Sequence, residues 1–213
     1  MFLIIVGTGA MGQTVRECAE EDETFDRIEF VEPLRNDWPK EKADLIIDFS
    51  HPRAVKGIYE YCLRHKGGIP IVMGTTGHTA EEEQLIKMLE KICPITRKSN
   101  FSKGIEILNE LSAEAKEKLP TADIRIEEVH HTKKKDSPSG TANTLGELLG
   151  IDKEDISAIR MGNVFGIHKV YFALKDEVVE ITHTAYSKRI FAEGAIASGK
   201  EMLQRINNSI FDL

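Results

Sequence analysis

The chain has 213 residues, 41% of them hydrophobic, and a formal net charge of −7. That length allows one large domain or two small ones with a sizeable core, and the composition excludes global disorder. The acidity argues against a nucleic-acid or anionic-membrane surface but not against a local basic pocket. Cys18, Cys62 and Cys93 are odd in number and widely spaced. They suggest neither a disulfide framework nor a metal site, and ordinary reduced thiols are expected. No charged-then-apolar leader opens the sequence, and no apolar run approaches the ~20 residues of a membrane helix, so a soluble, cytoplasmic protein is expected.

The run Phe2-Leu3-Ile4-Ile5-Val6, stopped by glycine, predicts a buried parallel strand. Gly7-Thr8-Gly9-Ala10-Met11-Gly12 follows, and Gln13–Glu21 predicts the first helix. Further strands are predicted at Ile28–Val31, Leu45–Phe49, Pro70–Met73 and Ile95–Arg97, with helices at Ala54–Arg64 and Thr79–Lys91. Thr79 is a natural N-cap, and Glu81-Glu82-Glu83 suits the positive end of the helix dipole. Strand alternating with helix predicts an α/β fold, a Rossmann-like doubly wound parallel sheet, whose strand-end loops are where such sheets bind ligands.

After Phe101 the texture changes. Gly104–Lys118 predicts a helix, and Asp123–Glu127 alternates as a half-buried strand does. A loop from His130 to Thr141 leads into a helix at Ala142–Leu149. Lys169–Ala173 and Glu177–His183 predict two antiparallel strands turning at Lys175-Asp176, and a helix over Phe191–Asn207 closes the chain.

The glycine loop follows an apolar strand and opens a helix, with Glu32 twenty residues beyond Gly12 at the end of the second strand. Gly7 permits the tight turn, Gly9 lets the backbone approach a pyrophosphate, and Gly12 allows close helix–sheet packing. Thr8, Ala10 and Met11 complete the loop, and the helix N-terminus supplies N–H groups and positive potential. Glu32 can accept from both ribose hydroxyls, and its charge would repel a 2′-phosphate. Pro33 adds no charge, while Arg35 could still reach one. NADH is therefore the expected cofactor, with NADPH tolerated. Gly74-Thr75-Thr76-Gly77 is a second strand-end loop whose small residues let a ligand ring come close.

His130 and His131 are adjacent, so in extended backbone they point to opposite sides and make poor partners on one metal. Lys133-Lys134-Lys135 follows; alone, such a run is usually a solvated face. Pro138-Ser139-Gly140-Thr141 then enters a helix, offering hydroxyls and N–H groups as a carboxylate or phosphate cradle. A cation, a proton donor and an anion cradle within one short segment form a catalytic constellation.

The segment Glu128-Val129-His130-His131-Thr132-Lys133-Lys134-Lys135-Asp136-Ser137-Pro138-Ser139-Gly140-Thr141-Ala142 closely resembles the signature of the 4-hydroxy-tetrahydrodipicolinate (dihydrodipicolinate) reductase family, E-x-H-H-x-x-K-x-D-x-P-S-G-T-A. Gly7–Gly12, Asp48–Pro52, Gly74–Gly77, Asn100–Gly104 and Arg189–Ala195 also look like family blocks. The resemblance implies hydride transfer from NAD(P)H to a cyclic unsaturated dicarboxylate, in lysine and diaminopimelate biosynthesis. It implies His130 as proton donor, Lys134 as catalytic lysine, and His131, Ser139, Gly140 and Thr141 as substrate contacts. Lys133 and Lys135 match variable positions. Gly74, Thr75 and Thr76 would line the nicotinamide side, and Lys98, Ser99, Asn100 and Phe101 would form a second cofactor-contact stretch. No metal is implied.

The expected division is a dinucleotide-binding domain of residues 1–102 and 187–213 and a smaller α+β substrate-binding and oligomerisation domain of residues 103–186. Its sheet would pair with those of other subunits in a homotetramer, covering strands that are otherwise an edge liability. The chain is short against the family pattern, with the reduction in the early strand–helix units and in Gly150–Gly166, so an abbreviated closing loop is expected. Competing readings are another oxidoreductase on the same scaffold, such as an aspartate- or homoserine-type dehydrogenase, and a non-catalytic NAD-responsive sensor. The histidine–lysine block argues against the first, and the lack of a recognisable output module against the second.

Overall fold

The computed structural model describes residues 1–32, 35 and 37–211, with side chains in the last helix described to residue 208. Two compact units emerge, Met1–Lys98 with Phe191–Leu213, and Ser99–Ile190. The breaks thus fall at Lys98/Ser99 and Ile190/Phe191 rather than after residues 102 and 186. Ser99 and Asn100 belong to the second unit because their side chains bond to Thr144 and Thr141 there.

In the first unit, β1 (Phe2–Val6), β2 (Arg27–Val31), β3 (Leu45–Asp48), β4 (Ile71–Met73) and β5 (Ile95–Arg97) form a parallel sheet of order β2-β1-β3-β4-β5. Leu3, Ile4, Ile5 and Val6 have no exposed surface. Each such side chain contributes roughly 1.5–3 kcal/mol of burial, which explains an unbroken apolar run where a one-sided strand would alternate. Helices α1 (Ala10–Glu20), α2 (Ala54–Arg64) and α3 (Ala80–Leu89) connect the strands. Thr79 caps α3 as expected: Glu82 N–H donates to its Oγ1 at 3.3 Å, and its own N–H donates to the Glu82 carboxylate at 2.7 Å. The strand order reverses direction between β1 and β3, which makes the loops leaving them a topological switch point.

In the second unit, α4 (Lys103–Lys118) and α5 (Gly140–Leu149) cover a sheet of order β7-β6-β8-β9. Its strands are β6 (Asp123–His130), β7 (Ile156–Arg160), β8 (Ile167–Ala173) and β9 (Val178–Thr184). The core between them includes Ile105, Leu108, Ile126, Leu145, Val170 and Phe172. Two features correct the expectation. β6 runs three residues past Glu127, so His130 ends a strand instead of opening a loop. β7 was not expected at all; it follows a single 3-10 turn (Lys153–Asp155) and pairs parallel to β6 in a sheet otherwise antiparallel. Helix α6 (Arg189–Phe211) closes the chain. Among the described residues, no helix is long and apolar enough to cross a membrane.

Candidate active site

In the first unit the glycine loop packs as its spacing requires. A Cβ on Gly12 would run into the Gly7 carbonyl, so α1 can approach the loop this closely only with glycine there. Gly9 is different: a Cβ there meets none of the described residues within 4 Å. Gly9 is also the N-cap of α1 and offers no side-chain cap, and the first turn carries no acidic residue. The amides of Ala10, Met11 and Gly12 lie in a first helical turn that carries no side-chain anion of its own. Glu32 follows β2, with Thr8 Oγ1 donating to its carboxylate at 3.1 Å. These features fit a pyrophosphate and a ribose diol. Pro33 lies outside the described residues, and Arg35 is exposed.

Met11, Phe49, Ser50, Gly74, Thr75 and Thr76 line a recess of about 260 Å³ at the switch point. Gly74 lies against the Phe49 ring, where a Cβ would collide. Below the recess Asp48 is buried, and its carboxylate accepts from Ser50 Oγ. Thr75 Oγ1 accepts from Ser50 N–H at 2.8 Å, and its hydroxyl donates to Asp48. Burial pushes the Asp48 pKa up to about 6 against the pull of these hydrogen bonds, and no cation is among its causes. Asp48 stands in the predicted strand Leu45–Phe49 and in a family block, with no role assigned to it; its burial shows in the apolar run that precedes it.

In the second unit the alternation of β6 puts Glu128 and His130 on one side. Glu128 has no exposed surface and His130 is 8% exposed. Pairing brings His168 of β8 opposite Glu128 and Arg160 of β7 opposite His130. A lone carboxylate here would be costly to bury. Instead Arg160 grips it with two nitrogens, Nη2 to Oε1 at 2.7 Å and Nη1 to Oε2 at 3.0 Å. Ser139 N–H donates to Oε1 at 3.0 Å, and His130 Nδ1 donates to Oε2. Burial alone would raise the pKa of Glu128; the bonds from His130 and Arg160 prevail and hold it down at about 2.

The same arginine shapes the loop. Arg160 Nη2 also donates to the Asp136 carbonyl at 2.6 Å. Helix α5 starts two residues earlier than expected, with Ser139 as N-cap accepting from Ala142 N–H at 3.2 Å. The Ser139 hydroxyl also hydrogen-bonds to His168 Nε2, 3.2 Å away. His168 is held neutral, its pKa pushed down to about 3, first by burial and then by neighbouring His130. Gly140 and Thr141 therefore stand in the first turn of α5. Lys134 Nζ lies 3.0 Å from the Asp136 carboxylate, and Gly140 N–H donates to the same group. Burial would raise the Asp136 pKa, but Lys134 and these amides bring it below the usual value.

His131 is half-buried, its Nδ1 has no hydrogen-bond partner among the described residues, and its pKa is lowered by burial and then by Lys188, His130 and Lys134. Lys133 and Lys135 are exposed. The expected cofactor stretch Lys98–Phe101 is divided. Lys98 N–H bonds to Met73 in the first unit, whereas Asn100 Nδ2 donates to Thr141 Oγ1 at 3.0 Å and Ser99 Oγ lies 3.3 Å from Thr144 Oγ1 in the second. Phe101 is buried. Ser99 and Asn100 thus buttress the start of α5. No local sequence pattern marks Arg160 or His168, and Glu128 stands in the family signature without an assigned role.

Residues 1–101 match the family model for the N-terminus of dihydrodipicolinate reductase, and residues 104–213 match that for its C-terminus. A relative from Bdellovibrio bacteriovorus named 4-hydroxy-tetrahydrodipicolinate reductase is 38% identical, covering 92% of this chain and 89% of its own length. Another of that name, from Brachyspira hyodysenteriae, is 36% identical over 94% of this chain and 93% of its own. Among solved structures, a dipicolinate-bound dihydrodipicolinate reductase from Paenisporosarcina sp. TG-14 superposes with a TM-score of 0.71, covering 96% and 95% of the two chains at 20% identity, a likeness of fold. With both halves matched and relatives of this identity spanning nearly their whole length, the chain belongs to the dihydrodipicolinate reductase family.

Proposed function

We propose that this chain reduces 4-hydroxy-tetrahydrodipicolinate to tetrahydrodipicolinate in lysine and diaminopimelate biosynthesis, using NADH in preference to NADPH. The observation that carries the substrate class is the carboxylate site of the second unit. Lys134 and the Gly140 amide already hold one carboxylate, that of Asp136. A substrate carboxylate offers them the same charge and geometry, with Thr141 and His131 alongside. The Paenisporosarcina relative holds dipicolinate, itself a dicarboxylate.

When bound at the glycine loop, the nicotinamide cofactor supplies a hydride. The overall change takes up that hydride and one proton and releases water. His130 supplies the proton to the carbanion-like centre. Lys134 and the α5 amides offset the charge of the substrate and of the transition state. Gly7, Thr8, Gly9, Ala10, Met11, Gly12 and Glu32 bind the dinucleotide, with Gly74, Thr75 and Thr76 beside the nicotinamide and Lys98 at the same sheet edge. Glu32 favours a free ribose 2′-hydroxyl over a phosphate. The exposed Val178 and Val179 on edge strand β9 support assembly of the chain into a homotetramer through this sheet. The cytoplasm is the location proposed for it.

NADH and NADPH oxidation, followed with enzymatically generated substrate, tests the reading. Turnover is expected with both cofactors and a higher kcat/KM with NADH. No oxidation of either cofactor would refute the reaction, and a strong NADPH preference would refute the role given to Glu32.

A further inference from the structure

Glu128 is fully buried, and its carboxylate meets Arg160, Ser139 N–H and His130. Held ionised by the guanidinium, it can only accept hydrogen bonds. The His130 nitrogen that faces it, Nδ1, must therefore carry a hydrogen whether the ring is neutral or charged. A neutral imidazole has a single N–H, so Nε2 is left as the one nitrogen that gains and loses a proton. A histidine side chain free in water favours the opposite tautomer, with its hydrogen on Nε2.

The surroundings keep Nε2 from being diverted. His168 stacks edge-on against His130, ring centroids 5.1 Å apart, but its own Nε2 is engaged by the Ser139 hydroxyl. Gly166, between β7 and β8, borders His130 Nε2, and a Cβ there would stand 3.0 Å from that atom. A glycine here keeps that side of the nitrogen clear.

We propose that Glu128 and Arg160 are positioning residues for proton transfer: the guanidinium fixes the carboxylate, the carboxylate fixes Nδ1–H of His130, and Nε2 becomes the sole proton-exchanging atom. The catalytic half of this statement rests on His130 being the proton donor of the reduction; the tautomer half does not. In the step itself, the Nε2–H bond of the imidazolium breaks, its proton goes to the substrate, and the pair left on Nε2 restores the neutral Nδ1–H ring. Arg160 touches no reacting atom: it reaches His130 through Glu128, and its separate bond to the Asp136 carbonyl holds the loop without setting the His130 tautomer.

The test is two-bond 1H–15N correlation NMR of the full chain labelled with 15N-histidine, at a pH where the ring is neutral. The His130 signals are assigned by their loss in His130→Gln. The wild type is expected to show the Nδ1–H tautomer. Glu128→Gln alone would strand the Arg160 charge, so the comparison is the paired variant Glu128→Gln/Arg160→Met, which removes both charges together. There the His130 signal is expected to move to the Nε2–H tautomer or to an average of the two. Turnover should fall by roughly 10²-fold, the lower end of what a positioned acid contributes, with NADH affinity unchanged. An Nε2–H tautomer in the wild type overturns the proposal even if the paired variant does not fold. A changed tautomer with unaltered turnover overturns the positioning role. The spectra are recorded without substrate, so a failed reduction assay and a failed tautomer assignment are separate results.

Discussion

Asp48 and Glu128 are both buried carboxylates near the ends of central strands, one in each unit, yet their proton affinities are driven in opposite directions. Among the described residues Asp48 has hydroxyl and amide donors from Ser50 and Thr75, and burial takes its pKa up to about 6. Glu128 has Arg160 and His130, and these hold it at about 2 despite burial. The difference shows how the two sites are made. In the first unit, helix amides and close-packed glycines would form the proposed binding surface, with Glu32 as its one assigned charge, and such a surface suits a ligand that brings its own phosphates. The second site is built from charged side chains locked by one another, which suits proton transfer to a carboxylated substrate.

Changing each carboxylate to its amide gives effects of opposite sign. Glu128→Gln leaves Arg160 buried without its counter-charge and is expected to cost about 3–5 kcal/mol at neutral pH, read as a lower urea midpoint. In the wild type the folded-state pKa of Glu128 lies below its unfolded value of 4.5. Its stabilisation is therefore complete above about pH 4.5 and is lost as the pH falls towards about 2, so the gap between variant and wild type should narrow over that window. An equal gap at pH 3 and pH 7 would contradict the ion-pair reading.

Next in size is a pair of glycine substitutions. Gly12→Ala drives a methyl into the Gly7 carbonyl and should destabilise the chain by about 1–3 kcal/mol. Gly9→Ala meets no atom of the described residues, so stability should hold while NADH binding weakens, as measured by fluorescence titration. Equal stability losses would undo the distinction between packing and ligand-approach glycines. Smallest is Asp48→Asn. Because its folded-state pKa lies above the unfolded value of 3.8, ionised Asp48 opposes folding increasingly as pH rises towards about 6. The amide is expected to stabilise the chain by about 1–2 kcal/mol at pH 8, and by little at pH 3.

The same contrast governs what could be read from the sequence. A backbone-built site leaves its mark locally: glycine spacing after an apolar strand, an acidic residue at the next strand's end, a threonine cap before α3. Those elements were legible nearly to the residue. A site locked by side chains depends on partners brought in by pairing. Arg160 lies 32 residues beyond Glu128, on a five-residue strand with no clean alternation that no local pattern announced. Without β7 there was no reason to expect a cation behind Glu128. His168 and the Asn100–Thr141 contact were hidden for the same reason. The alternation of Glu128 and His130 was visible, but that the histidine closes the strand depended on its pairing with β7.

The most direct test of this division of labour is turnover and NADH affinity measured on the same preparations of His130→Gln and Lys134→Ala. Turnover is predicted to fall 10²- to 10⁴-fold, the usual worth of a positioned acid, with an unchanged NADH dissociation constant in both variants. Near-normal turnover in both, or a turnover loss matched by lost NADH binding, would contradict it.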